Sequence, residues 1–210
     1  MALLHRAQLT PSKLELLQAW MPTQPWAGGF DPAGFSVIGA YRFDDPAGQV
    51  GIETHLIGTA EGAVLQVPTT YRAEPLAGVA AAGTTQHSVL GPRWVYDGCL
   101  DPAYQQALLT TIVTGGQQAE LFVATDDGPQ RREPTTFAQG SGQPGAEVPA
   151  MVFGAPTVHG STTVLLAGPI ELTVLHVLDA GPVSGAVPGL TGRWPGQEAP
   201  ALLALIRGLA

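Results

Sequence analysis

The sequence predicts an α+β fold dominated by antiparallel β-sheet. Three observations carry that expectation: only two stretches combine helical apolar spacing with caps, most other apolar runs are short and rich in β-branched residues, and 27 glycines with 19 prolines in 210 residues supply many turns.

Residues 10–21, "TPSKLELLQAWM", predict the first helix. Thr10 serves as its cap and Pro11 as its first residue, Leu14, Leu17 and Met21 fall on one face, and Pro22 stops it. Three extended runs follow, "FSVIGAYRF" (35–43), "VGIETHLIG" (50–58) and "GAVLQVPTTY" (62–71). The separators "DDPAGQ" and "TAE" are turn-forming, so the runs predict an antiparallel meander. Residues 72–85 read as a small-residue loop, and "QHSVLGPRWVYD" (86–97) as an irregular strand or arch. The second helix is the best signalled: Asp101 caps it, Pro102 opens it, Tyr104, Leu108 and Ile112 form its buried stripe, and Gly115-Gly116 end it.

"AELFVAT" (119–125) predicts a further strand, and residues 126–148, rich in Gly, Pro, Gln and charge, a flexible connection. Beyond it, "AMVFGAP", "TTVLLAG", "IELTVLHVL" and "LTGRW" predict strands, and Pro200–Leu209 a strand or short helix. The expected organisation is therefore a domain over 1–125, a connection over 126–148 and a β-rich extension over 149–210 that could complete the same domain.

Composition excludes several classes of function. Seventeen acidic against nine basic residues give a net charge of −8, which opposes the counterion release on which nucleic-acid binding depends. The N-terminus lacks the order of a secretory signal, and the most apolar stretch, Val164 to Leu178, is broken by Gly168-Pro169, Glu171 and His176. A cytoplasmic protein with neither nucleic acid nor membrane as partner is expected. The single Cys99 forms no internal disulfide and no cysteine metal cluster, and fits a reducing compartment.

Catalytic signatures are missing too. There is no GxxxxGK[ST] loop, HExxH or GxSxG motif, and Lys13, the only lysine, is expected to face water. No cofactor and no metal are expected. Glu53 and His55 share a strand face, but a metal needs more ligands than two, and a solvated face is the expected setting. His176 lies among Ile170, Leu172, Val174 and Leu178, where a hydrogen-bonded core histidine is expected. Cys99 reads as a small packed residue. The aromatic and polar set that could take a sugar ring is Arg93, Trp94, Tyr96 and Asp97 together with Trp26, although packing explains each tryptophan equally well.

Three stretches, "WMPTQPWAGG" (20–29), "LQVPTTYR" (65–72) and "WVYDGCLDPAYQQALL" (94–109), together resemble the N-terminal cap domain of actinobacterial maltokinases over roughly residues 1–125. The chain departs at Pro25, Ala27 and Gly29, where that family favours a basic residue, an aromatic and a lysine. The resemblance implies a cystatin-like helix on a curved antiparallel sheet. It carries over no catalytic residue, because phosphotransfer in those kinases belongs to later lobes. Two functions follow as expectations. The first is a non-catalytic cap-like module that binds a protein partner or an oligosaccharide in maltose, trehalose or α-glucan metabolism, with 149–210 able to form a homodimer surface. The second is a small glycan-active hydrolase or isomerase using two of Glu53, Asp44, Asp97 and Glu171, which requires a pair about 5 to 10 Å apart.

Overall fold

The computed structural model describes residues 2–4, 8–125, 128–179, 181 and 188–208. Strands β1 (Ala2–Leu4) and β2 (Leu9–Thr10) precede helix α1 (Lys13–Trp20) and three short 3₁₀ turns, after which come β3 (Ser36–Phe43), β4 (Gly51–Gly58) and β5 (Val64–Arg72). The chain continues through β6 (Gly83–His87), β7 (Gly91–Asp97), helix α2 (Pro102–Thr114), β8 (Leu121–Thr125), β9 (Gly128–Arg132) and β10 (Phe137–Gly140). It ends in β11 (Thr157–His159), β12 (Thr162–Ala167), β13 (Ile170–Leu175), β14 (Val177–Leu178), β15 (Gly189–Trp194) and β16 (Gln197–Arg207). The fold is α+β and sheet-dominated, as expected. No helix of the described residues is long and apolar enough to cross a membrane.

Two large sheets organise the molecule. One runs β2-β6-β7-β5-β4-β3, with β14 added alongside β5, and the other runs β10-β15-β16-β13-β12-β11; every pairing in both is antiparallel. A small third sheet, β1-β8-β9, contains the one parallel pairing among the described strands, β1 with β8. Helix α2 lies between the large sheets. Its Tyr104, Leu108, Leu109 and Ile112 share a core with Tyr41 and Leu56 of the first sheet and Leu172, Leu190 and Leu203 of the second. On the opposite face of the first sheet, α1 and the turns after it close a smaller core from Leu17, Met21, Trp26, Ile57, Leu65 and Val67.

The physical causes of these elements are mostly local. Asp101 caps α2 by accepting from the Ala103 N–H, Pro102 occupies its first turn, and Gly115 ends it at φ 63°, a conformation that costs glycine nothing. Helix α1 differs from expectation. It starts at Lys13 because Ser12 and Glu15 exchange hydrogen bonds as a capping box, which leaves Thr10 to pair in β2.

Four other readings are corrected, and of the two alternatives for the C-terminal segment the strand holds. Residues 83–97 form a hairpin, since Gly91, at φ 76°, lets the chain reverse between β6 and β7. The stretch 126–148 holds β9 and β10, which find partners in β8 and β15 despite their polar composition; residues 126 and 127 lie outside the described set. Residues 150–156 form no strand, and the run 170–178 divides at His176, where β14 leaves β13 to pair with β5. Residues 197–207 are strand throughout, so the helical alternative for the C-terminal segment does not hold.

Candidate functional site

The five residues expected to form a ligand surface do not converge. They sit on β7 and in a turn after α1, and strand alternation sends Arg93 and Asp97 to one face of the sheet and Trp94 and Tyr96 to the other. Tyr96 is buried at 1% exposure, and its hydroxyl accepts from the Leu76 N–H. Trp26 is buried at 4%, stacked on the His176 ring with centroids 4.3 Å apart. Arg93 donates to the carbonyl of its neighbour Pro92. The Asp97 carboxylate caps the next turn by accepting from the Cys99 N–H at 2.9 Å, and burial pushes its pKa up to about 6. Burial likewise pushes the Cys99 thiol well up, which suits a packed cysteine rather than a nucleophile.

The densest cluster of charge lies on the same face of the first sheet as Asp97. Glu53 and His55 of β4 are both buried, which corrects the expected solvated face. Lys13, at the start of α1, and Arg42, on the adjacent β3, both donate to the Glu53 carboxylate, so the only lysine is ion-paired. His55 Nε2 is 3.8 Å from that carboxylate and 3.1 Å from the Tyr71 hydroxyl. Burial opposes ionisation of Glu53, but the cations Arg42 and Lys13 outweigh it and hold the carboxyl well below its usual range. Burial also lowers His55 to about 4, so the imidazole is neutral at pH 7 and the two cations carry the pairing.

A second buried carboxylate is engaged just as fully. Asp101, at 0% exposure, accepts from Arg72 Nε and a terminal guanidinium nitrogen at 2.7 and 2.6 Å, from the Thr70 hydroxyl at 2.6 Å and from the Ala103 N–H at 2.9 Å. This fork ties the end of "LQVPTTYR" to the start of α2 in "WVYDGCLDPAY". Two of the stretches that suggested a resemblance are thus joined in space by their most polar residues. Residues 20–101 match the family model of the maltokinase N-terminal cap domain. No curated protein matches the chain.

The cap-matching segment runs from the end of α1 to the cap of α2, and residues 102–210 lie outside it. Its Ser88 hydroxyl accepts from the Gln8 N–H, and the Nδ1 of His87 accepts from the N–H groups of Val89 and Leu90, so the adjacent serine and histidine stabilise backbone. Among the described residues no group of three or more His, Cys, Asp or Glu is placed to hold a metal.

Sequence reasoning missed the Lys13–Glu53–Arg42 cluster and the Arg72–Asp101 fork. For the first a signal existed: Glu53 alternates with Ile52 and Thr54 on a strand read as having two faces, and the sole lysine stood near a helix start. It also missed a groove on the outer face of the second sheet, around Phe137 and Arg193, because both residues belong to segments whose pairing is remote in sequence.

Proposed function

We propose that the chain is a non-catalytic cap-like module that binds an oligosaccharide or a protein partner in maltose, trehalose or α-glucan metabolism, in the cytoplasm. The observation that supports it most is the match of residues 20–101 to the maltokinase cap, combined with the internal use of that segment's acidic groups. Asp101 is saturated by Arg72, Thr70 and the α2 backbone, and Glu53 by Lys13 and Arg42. Carboxylates held in this way stabilise a scaffold; they do not exchange protons with a substrate near neutral pH. Calorimetric titration of the purified chain with maltose, trehalose, maltooligosaccharides and glycogen, paired with size-exclusion runs against a maltose-phosphorylating kinase, tests the reading. Saturable binding in either arm without product formation supports it, and the absence of both refutes it.

One observation favours the enzymatic alternative. Glu53 and Asp97 flank Thr69 in register on one sheet face, roughly 10 Å apart at two strand spacings, with the first carboxyl pushed down and the second up to about 6. On that reading Asp97 would donate a proton, and Glu53, kept ionised by Lys13 and Arg42, would stabilise developing positive charge rather than take up a proton. Product release from maltooligosaccharides that disappears in both Glu53→Gln and Asp97→Asn would establish it in place of the cap reading.

A further inference from the structure

The outer face of β10 and β15 carries a built polar platform that neither the family match nor the clusters above include. Phe137 pairs directly with Arg193, and Gln139 with Thr191, so these four side chains stand on one face as a two-by-two array. Strand geometry makes the array roughly 7 Å along the strands and 5 Å across them, about the footprint of a single sugar ring. Two adjoining clefts of about 140 and 310 Å³ meet here and share Phe137 and Arg193, with Gln117 and Pro200 on one side and Trp194 and Glu198 on the other. The larger reaches the size range of small-molecule sites.

The chemistry of the lining selects a class of ligand. Phe137 is 44% exposed, and the Arg193 guanidinium lies over one face of its ring, 5.5 Å from the centre, so a sugar would stack on the other face. The side chains of Gln117, Gln139 and Thr191 have no hydrogen-bond partner among the described residues, and Arg193 has no carboxylate partner among them. Each amide offers donor and acceptor together, as does the hydroxyl, which matches ligand hydroxyls that also play both parts. Arg193 and Glu198 are the only charged groups in the lining and they cancel, which disfavours phosphates, nucleic acid and strongly acidic peptides. The platform is also held in place. The segment before β8 is pinned to the free edge of β10 by Gln118 N–H to the Ala138 carbonyl at 3.0 Å, Ala138 N–H to Gln118 Oε1 at 2.8 Å and Gly140 N–H to the Gly116 carbonyl at 2.8 Å.

We propose that this platform binds one pyranose unit of a neutral oligosaccharide, stacked on Phe137 and hydrogen-bonded by Gln139, Gln117, Thr191 and Arg193. The proposal rests on the oligosaccharide arm of the cap-module reading and gives that arm a location outside the segment matched to the family. The test is titration of the full chain with maltotriose, cellotriose and, as a charged control, glucuronic acid, followed by amide chemical shifts and calorimetry. Phe137→Ala and Gln139→Ala remove exposed side chains, and unchanged melting temperatures confirm the fold of each.

The expected result is saturable binding of at least one neutral trisaccharide, with shifts at residues 117, 137–139 and 191–193 and little response to glucuronic acid. Phe137→Ala should weaken binding about tenfold or more, and Trp94→Ala should leave it unchanged. Trisaccharide binding that survives Phe137→Ala overturns the platform and leaves the module reading standing. No sugar binding, with a stable complex with the kinase, overturns the platform alone; no binding of either kind overturns both.

Discussion

Replacing Asp101 by alanine removes four hydrogen bonds at one carboxylate: two from Arg72, one from Thr70 and one from the Ala103 N–H. Loss of the α2 cap costs about 1 kcal/mol. Breaking a buried pair costs ~3–5 kcal/mol, but the Arg72 side chain is 24% exposed and regains part of its hydration, so about half of that range applies. The sum is about 3 kcal/mol, which for a chain of this length lowers the melting temperature by about 6 to 12 °C. Asp101→Asn keeps an oxygen for the Ala103 N–H but turns the second oxygen into an amide nitrogen facing the Arg72 Nε–H, so it loses the charge and the bidentate pairing and should cost about 2 kcal/mol. Arg72→Met strands a carboxylate of 0% exposure with one hydroxyl and one N–H, and should cost at least as much as Asp101→Ala. Because the two residues share one interaction, the double variant should lose about 1.5 kcal/mol less than the sum of the single variants. Urea unfolding followed by tryptophan fluorescence measures the parent and the four variants. A coupling below about 0.5 kcal/mol, or an Asp101→Ala cost under 1 kcal/mol, would show that the fork is incidental to stability.

Three further predictions concern the interior. His55 and His176 fall to about 4 in the folded protein from the usual 6.5, chiefly through burial, so the unfolded chain takes up protons first as the pH drops. Stability is therefore lost between pH 6.5 and 4, and His176→Gln should flatten that loss in a urea series. Asp97 acts with the opposite sign: its folded value of about 6 lies above the usual 3.8, so it adds stability as the pH falls from 6 towards 4. Asp97→Asn should be more stable than the parent at pH 7 and should decline more steeply below pH 6. The packing of α2 on β10 is tested at Gly140, where a Cβ would overlap the Thr111 carbonyl oxygen and press on Ile112. Gly140→Ala should cost about 3 kcal/mol or more, whereas Gly145→Ala, with open space but φ 83°, should cost about 1. Equal costs in denaturant unfolding would refute the close contact.

The elements legible in the sequence were those whose causes are local. Helix α2 announces itself through Asp101, Pro102 and Gly115, all within fourteen residues of one another, and β3, β4 and β5 through alternation bounded by turn residues. What escaped depends on partners far along the chain. Glu53 meets Lys13 across 40 positions, and Arg72 meets Asp101 across 29, so neither reads as a pair; each charge taken singly is expected in water. Trp26 reads as a flat aromatic face that a sugar ring could meet, but Trp20, six positions away, packs edge-on against it, and His176, 150 positions away, stacks on it. The Phe137 platform escaped for the same reason: "FAQG" is too polar and too short to suggest a strand until β15 is beside it.

Gln66 shows why the cap-matching segment and the residues beyond it act on one another. Its amide nitrogen donates to the carbonyls of Leu175 and Leu203 at 2.8 and 2.9 Å, and its oxygen accepts from the Tyr41 hydroxyl at 2.8 Å. Its main chain binds His176 twice, N–H to the His176 carbonyl at 2.7 Å and carbonyl to Nδ1 at 3.0 Å. A carbonyl only accepts, so Nδ1 carries the proton and Nε2 is left to accept from the Thr163 hydroxyl at 2.7 Å. That tautomer is neutral, in keeping with the lowered pKa of His176, and the ring so fixed is the surface on which Trp26 lies. The Gln66 side-chain nitrogen, its main-chain N–H and carbonyl, and Nδ1 of His176 have these partners only when β5, from the cap-matching segment, lies beside β13, β14 and β16, from outside it. An unpaired buried amide costs about 1–3 kcal/mol for each missing bond, so separating the two sets of strands is opposed by several such terms as well as by the shared apolar core. A ligand held at β10 and β15 would therefore bind to the same packed body that carries the cap-matching segment.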